Sequence, residues 1–198
     1  MKIARTAITT AIVTLFASAA LAQTTGSIVQ RDVNQQQRIE NGLQSGALNT
    51  REAARLEREE SQVNRMESRA LKDGKLTDAE KDRINRAQNR VSKDIYREKH
   101  DAQTGNPNSA SSQRMQADVQ RNVNQQQRIE NGVKSGQLTN RETGSLERGQ
   151  ARVNRAEARA GRDGHVGPAE QRGIQSAENR QSQRIYNQKH DSQVRAVK

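Results

Sequence analysis

The stretch that decides the fold is VNQQQRIENG at Val33–Gly42, which returns unchanged at Val123–Gly132. A shift of 90 positions aligns Arg31–Gln103 with Arg121–Gln193 without a gap, and about 40 of the 73 aligned pairs are identical. Agreement over the length of a small domain identifies a duplicated segment. Positions that are kept in both copies therefore show what one copy requires.

Apolar residues are sparse in both copies, but they recur at helical spacing. Short turns containing glycine separate the helical segments, and antiparallel packing is the expected result of such short connections. We therefore predict an all-α fold of two tandem modules, each with three helices arranged as antiparallel helical hairpins. The apolar stripes of the first module are Ile28, Val29, Val33, Ile39 and Leu43, then Leu56, Val63, Met66 and Ala70, then Ile84, Ala87, Val91 and Ile95.

The first 22 residues have the features of a secretory signal peptide. Lys2 and Arg5 form a positive start, Ala7–Leu21 is apolar, and Ala20-Leu21-Ala22 has the small-x-small pattern of a cleavage site. The sequence therefore predicts export to a bacterial periplasm or exterior, and no later stretch is apolar enough to enter a membrane. We divide the chain into a signal peptide at 1–22, modules at 23–103 and 113–198, and a flexible linker, TGNPNSASS, at 104–112.

The composition narrows the function classes. Removing Lys2 and Arg5 from the 34 basic residues leaves 32 against 23 acidic residues, a net charge of +9, and the chain has no cysteine. Basic and acidic residues are interleaved, no aromatic platform exists, and no Ser–His–Asp set or Gly-rich phosphate loop is kept in both copies. The sequence predicts neither an enzyme nor a nucleic-acid-binding protein. Its acidic residues are interpreted as solvated partners of arginine.

The glycine turns suggest a calcium or other metal site. Asn41–Glu52 and Arg69–Glu80 read N-x-L-x-S-G-A-L-N-x-x-E and R-x-L-x-D-G-K-L-T-x-x-E. Both are similar to the second half of an EF-hand loop, but they lack its first acidic ligands. A structural interpretation stays open, in which glycine ends one helix and glutamate caps the next. The candidate ligands are Glu52, Asp73, Glu80, Glu142, Asp163 and Glu170.

A second candidate metal site is I-Y-x-x-K-H-D near the end of each module. Its phenol, imidazole and carboxylate would hold zinc or copper if two modules met. The alternative is that lysine and histidine complement the negative end of the third helix, which the tyrosine covers. The residues are Tyr96, His100 and Asp101 in the first copy and Tyr186, His190 and Asp191 in the second.

The longest identical run, QQQRIENG, retains polar side chains more strictly than a solvated helix face requires. It is either a recognition face for a polar partner or a trace of recent duplication, and both interpretations stay open. The candidate partner-binding residues are Gln35, Gln36, Gln37 and Arg38, with Gln125, Gln126, Gln127 and Arg128 in the second copy.

Together, QQQRIENG, SG-x-L, DG and IY-x-x-KHD resemble a module of small exported proteobacterial proteins, over nearly all of the chain after residue 22. The resemblance implies export and helical repeats and supplies no activity. From the residues we expect a non-enzymatic periplasmic interaction protein without a cofactor. Its polar, Arg-rich faces would bind an envelope protein, an anionic envelope polymer or a second copy of the chain. The alternative is a metal-responsive protein that binds calcium or a transition metal.

Overall fold

The computed structural model describes the backbone of residues 15–193 and the side chains of residues 25–193. The predicted all-α class is confirmed, because this part of the chain contains helices and no strand. Residues 1–14 of the predicted signal peptide lie outside the described residues. The helices are α1 (Leu15–Ser45), α2 (Thr50–Ala70), α3 (Asp78–Glu98), α4 (Ala110–Lys134), α5 (Asn140–Ala160) and α6 (Pro168–Lys189), with a short 3₁₀ turn at Gly161–Asp163.

The helix starts follow the capping pattern of the sequence. Glu80 N donates to Thr77 Oγ1 at 3.3 Å, while Thr77 N donates to Glu80 Oε2 at 3.0 Å. The same reciprocal pair forms before α2 and before α5. Each reciprocal pair satisfies backbone N–H groups that have no partner within the helix, and so fixes where the helix begins.

Four glycines have the left-handed backbone that ends a helix. They occupy equivalent places in the two repeats, and their φ angles lie between 75° and 92°. Only glycine adopts this region without strain, which explains why both repeats retain it in both turns. The residues are Gly46, Gly74, Gly136 and Gly164.

The most extensive packing joins helices of different repeats. Helix α2 lies antiparallel to α5, and α1 packs against α4. Equivalent positions meet between α2 and α5, where Ser61 Oγ donates to the Ala151 carbonyl at 2.9 Å. The largest apolar cluster also mixes both repeats, since Leu56 and Val63 share it with Met115 and Ile174. The repeats therefore form two halves of one helical body, related by an approximate two-fold axis between α2 and α5.

This packing differs from the predicted tandem modules on a flexible linker, which the structure does not confirm. Helix α4 begins at Ala110, inside the predicted linker, and Gly105 N donates to the Gly46 carbonyl at 2.8 Å. Thin apolar seams fit partners within one repeat or between repeats equally well, so the sequence alone did not distinguish the two arrangements. No helix of the described residues has the length and apolar character to span a bilayer.

Glycines of the second repeat leave space for larger side chains of the first repeat at both ends of the α2–α5 interface. A Cβ atom on Gly144 would lie 2.9 Å from Leu71 Cβ, and one on Gly161 would lie 2.8 Å from Ala54 Cβ. In the aligned sequences Leu71 corresponds to Gly161, and Ala54 corresponds to Gly144. The two ends of the α2–α5 interface are thus filled by different side chains, and the helices approach closely at both ends.

Candidate functional site

Helices α2 and α5, the two central helices, expose their arginines and bury most of their glutamates. All ten arginines of α2 and α5 are exposed or partly exposed, whereas seven of their eight glutamates are buried. Only Glu59 keeps partial exposure. This corrects the interpretation that the acidic residues are solvated partners of arginine. The buried glutamates are Glu52, Glu57, Glu60 and Glu67 on α2, and Glu142, Glu147 and Glu157 on α5.

Three carboxylates from three helices, two of the first repeat and one of the second, converge inside the body. Asp32 of α1, Glu67 of α2 and Glu147 of α5 each place one oxygen within 4.8 Å of the other two. Their exposed fractions are 1%, 0% and 0%, so water does not screen them. We call these three residues the carboxylate cluster.

Amide groups hold one oxygen of each carboxylate in the cluster. Gln88 Nε2 donates to Asp32 Oδ1 at 2.7 Å and to Glu67 Oε1 at 3.2 Å, and Asn64 Nδ2 donates to Glu147 Oε2 at 3.0 Å. No amide or hydroxyl group donates to the other oxygens, Asp32 Oδ2, Glu67 Oε2 and Glu147 Oε1, and the carboxyl groups of Asp32 and Glu67 lie close enough to share a proton. Buried acceptors are normally satisfied by donors, so three carboxylates that each have an oxygen without an amide or hydroxyl donor form a site that can bind protons or a cation.

The environment opposes negative charge on these groups. Burial raises the pKa of Asp32 to about 7 and the pKa of Glu147 to about 8. Burial also raises the pKa of Glu67 well above its usual range, and the charge of Asp32 adds to the effect. The cluster therefore favours any species that brings positive charge to it, whether protons or a cation.

The equivalent place in the second half is filled differently. Asn122 stands where the first repeat has Asp32, and its Nδ2 donates to Glu157 Oε1 at 2.9 Å and to Glu157 Oε2 at 2.7 Å. Asn122 Oδ1 in turn accepts from Gln150 Nε2 at 2.7 Å. The second half therefore has the Asn122 amide, which donates to Glu157, at the place where the first half has the carboxylate of Asp32.

A second acidic group lies nearer the surface and includes two of the predicted metal ligands. Oxygens of Glu52, Glu98 and Asp101 lie within 4.8 Å of one another. However, Glu98 pairs with Arg55 at 3.3 Å and with Arg97 at 3.5 Å, so arginine already balances its charge.

The other turn carboxylates serve their own turns. Glu142 and Glu170 accept from the backbone N–H groups that precede α5 and α6, as Glu80 does before α3. Asp73 Oδ1 accepts from Lys75 N at 2.9 Å, and Asp163 Oδ1 accepts from His165 N at 2.9 Å. These contacts account for each retained turn carboxylate without a metal ion.

The Tyr–His pairs form identical stacks at the surface. The Tyr96 and His100 ring centroids are 4.1 Å apart, and those of Tyr186 and His190 are 4.2 Å apart. Each histidine Nδ1 lies 2.7 Å from the tyrosine carbonyl oxygen one turn earlier and donates to it. The aspartates bind the backbone that follows them. Asp101 Oδ1 accepts from Gln103 N, and Asp191 Oδ1 accepts from Gln193 N.

The QQQR side chains face mostly inward. Gln35 Nε2 donates to the Gln88 carbonyl at 2.6 Å, and Gln36 Nε2 donates to Glu57 Oε2 at 3.1 Å. Arg38 Nη1 donates to Ser92 Oγ at 2.6 Å, and Gln37 alone is fully exposed. Their counterparts Gln125, Gln126 and Arg128 make the same contacts with α5 and α6, and Gln127 is partly exposed. These hydrogen bonds between helices account for the strict retention of the QQQR side chains in both repeats.

Sequence reasoning missed the carboxylate cluster, although a signal was present. Glu60 and Glu67 lie at helical spacing with Leu56 and Val63, on the stripe that the apolar pattern assigns to the interior. An acidic residue on such a stripe is buried beside its apolar neighbours. No family model matches the chain, and no curated protein or solved structure matches it significantly.

Proposed function

We propose that this chain is an exported, non-enzymatic protein that binds an anionic polymer of the bacterial envelope. The binding surface is the outer side of α2 and α5, which we call the arginine face. One observation carries the proposal: the ten arginines of these helices lie outward while seven of their eight glutamates lie inward. The arginine face comprises Arg51, Arg55, Arg58, Arg65, Arg69, Arg141, Arg148, Arg152, Arg155 and Arg159.

Like charges adjoin where the two central helices cross. Arg65 is half-buried, and burial together with the charges of Arg155 and Arg69 lowers its pKa. Apart from the contacts of Arg55 with Glu59 and Glu98, no ion pair of the described residues neutralises an arginine of this face. Repulsion between the arginines is relieved when an anion comes between them.

The chemistry of the face favours phosphate or carboxylate groups repeated along a polymer. Arginine presents a planar set of donors that binds such groups through two parallel hydrogen bonds. In this proposal the repeats at 23–103 and 113–198 each supply one helix, so neither repeat alone completes the face. The segment at 104–112 then connects two halves of a single surface.

The test is binding of the purified chain to lipopolysaccharide at low and high salt. We expect binding at about 50 mM NaCl that weakens strongly at 300 mM, because exposed charges are screened within about 10 Å or less. A variant with Arg58, Arg69, Arg152 and Arg159 replaced by glutamine should lose most of this binding.

The matched control removes the same charge from another surface. Arg86, Arg90, Arg172 and Arg184 are exposed on α3 and α6, and their replacement by glutamine should leave most of the binding in place. Equal loss in both variants would show that net charge, and not the arginine face, governs binding. Self-association without polymer binding would instead favour a second copy of the chain as the partner.

A further inference from the structure

We propose that the carboxylate cluster of Asp32, Glu67 and Glu147 binds one hard divalent cation, of which calcium fits best. This inference goes beyond the arginine face, because the site is internal and uses none of the exposed arginines. It also differs from the metal sites suggested by the turn and Tyr–His–Asp motifs, since none of its three ligands belongs to either set.

The spacing of the oxygens suits a calcium ion. One oxygen from each residue lies within 4.8 Å of the other two. Calcium binds oxygen at about 2.4 Å, so two ligands on opposite sides of the ion lie about 4.8 Å apart. Calcium takes about six to eight oxygens in flexible geometry, whereas magnesium demands a near-octahedral set at about 2.0–2.1 Å, so carboxylates held on three separate helices suit calcium better.

A fourth acidic side chain supports a ligand at this place. Glu60 is 1% exposed, and neither of its oxygens accepts a hydrogen bond. It lies two turns before Glu67 on the same side of α2, and the charges of Asp32, Glu57, Glu59 and Glu147 all act on it. A buried carboxylate without any donor is costly, and a nearby dication would offset that cost directly.

The donor set also limits the choice of ion. The three ligands are carboxylates, and the adjoining polar groups are the amides of Gln88 and Asn64. An all-oxygen set favours calcium, magnesium or manganese over zinc or copper, which prefer nitrogen and sulfur. Amide N–H groups of Gln88, Asn64 and Gln126 each donate to at least one of these carboxylates and so orient it.

The second half of the molecule provides a natural comparison. There Asn122 replaces the aspartate and donates to both oxygens of Glu157, so the equivalent place is occupied by N–H groups. An amide N–H repels a cation and satisfies a carboxylate. Of the three proposed ligands only Asp32 differs between the halves, while the adjoining Glu60 and Gln88 correspond to Gln150 and Glu178, and we expect one site per chain.

Burial determines how the site must be loaded. Because Glu67 and Glu147 are 0% exposed, an ion reaches them as the helices assemble and not by diffusion into the folded body. The chain is therefore unfolded in guanidinium chloride and chelator, refolded in buffer at pH 7.5 with 1 mM CaCl2, MnCl2 or MgCl2, and freed of unbound ion by gel filtration. Elemental analysis then counts the ions per chain, and thermal melting measures the change in Tm.

We expect one calcium ion per chain and a raised Tm for the unchanged protein. Asp32→Asn should fold, because asparagine occupies the equivalent place in the second half, and it should retain no ion and show no calcium-dependent rise in Tm. Asn122→Asp should retain two ions. Glu98→Gln, in the acidic group nearer the surface, is the control and should still retain one.

Several results would overturn the inference. One is a refolded, helical wild-type chain that retains none of the three ions. Another is an Asp32→Asn variant with the same ion count as wild type, and a third is loss of the ion in Glu98→Gln. A count of one in a folded Asn122→Asp variant would contradict the role given to the aspartate. All four readouts are independent of lipopolysaccharide binding, so they succeed or fail separately from the arginine face.

Discussion

Asn154 Nδ2 donates a hydrogen bond to Asn64 Oδ1 across 3.2 Å, and the two residues occupy the same position in their repeats. Two identical amides on a two-fold axis could donate to each other reciprocally, but here only one of the two hydrogen bonds forms, so the pair has a direction. Asn154 donates to Asn64, and Asn64 donates to Glu147. The hydrogen-bond chain therefore points towards the carboxylate cluster and makes the two halves inequivalent at their point of closest symmetry.

This direction predicts unequal costs for two equivalent substitutions. Asn64→Ala removes a donor from the buried carboxylate of Glu147 and should lower the free energy of unfolding by about 1–3 kcal/mol at pH 8. Asn154→Ala leaves only neutral amides without a partner and should cost less. Urea denaturation of both variants measures the difference. Equal losses in the free energy of unfolding would mean that the hydrogen-bond chain has no preferred direction.

The buried acids predict a stability that falls as the pH rises. Burial raises the pKa of Asp118 to about 8 and the pKa of Glu178 to about 7, and the neighbouring Glu178 charge adds to the effect on Asp118. A group whose pKa is higher in the folded state than in the unfolded state binds its proton more tightly when folded. Stability is then greatest below about pH 4 and is lost as the pH rises towards 8, at about 1.4 kcal/mol for each pKa unit of difference.

Urea denaturation in chelator at pH 5 and pH 8 measures this dependence. The folded chain should be clearly more stable at pH 5. Asp118→Asn is the informative variant, because burial and the Glu178 charge raise the pKa of Asp118, and the substitution should reduce the difference between the two pH values. A chain that is more stable at pH 8 than at pH 5 would show that these acids are ionised in the folded state.

Two helical glycines of the second repeat should respond to alanine in opposite ways. Nothing lies within 4 Å of a Cβ atom built on Gly173, so Gly173→Ala should stabilise α6 by up to about 1 kcal/mol. A Cβ atom on Gly149 would displace the end of the Gln181 side chain and its hydrogen bond to the Leu146 carbonyl, so Gly149→Ala should destabilise the fold by up to about 1 kcal/mol.

The first repeat suggests a rescue of the Gly149 variant. It has Glu59 and Val91 where the second has Gly149 and Gln181, so a smaller side chain at position 181 accompanies a larger one at position 149. Gly149→Ala combined with Gln181→Val should therefore cost less than the sum of the single changes. Thermal melts of the three variants complete the cycle, and strict additivity would argue against the contact.

The shared core predicts that neither repeat folds alone. Helix α2 finds its main partner in α5, and α1 finds its main partner in α4, so a chain of residues 23–103 or 113–198 would expose both interfaces. Each isolated half should show weak helicity and no cooperative melt, while an equimolar mixture should regain both. Circular dichroism provides the measurement, and a cooperative melt from one half alone would contradict the shared core.

The helices and their ends could be predicted because they depend on neighbours in the sequence. Thr77 and Glu80 cap α3 through contacts three residues apart, and Gly74 ends the preceding turn through its own φ angle. Ile84 and Ile95 are buried as their spacing predicts. Each of these features is decided within about one helical turn.

The positions of the buried carboxylates depend on which helix packs opposite their own helix, and the sequence does not specify that helix. Glu147 reaches Asp32 only because α5 packs on the first repeat, and a glutamate near arginines has the same spacing whether it faces water or another helix. The inward direction of Gln36 depends in the same way on Glu57 of α2. Features decided by neighbours in the sequence could therefore be predicted, whereas those decided by contacts between helices could not.

The inward position of the glutamates has a consequence for how the molecule moves in an electric field. With acids inside and neutralised by protons or an ion, the folded chain carries more effective positive charge than its formal value of +11. Unfolding at neutral pH exposes those acids to water, where they ionise and lower the charge. The folded form should therefore migrate faster towards the cathode, per unit of friction, than its unfolded form, and should elute later from a cation exchanger.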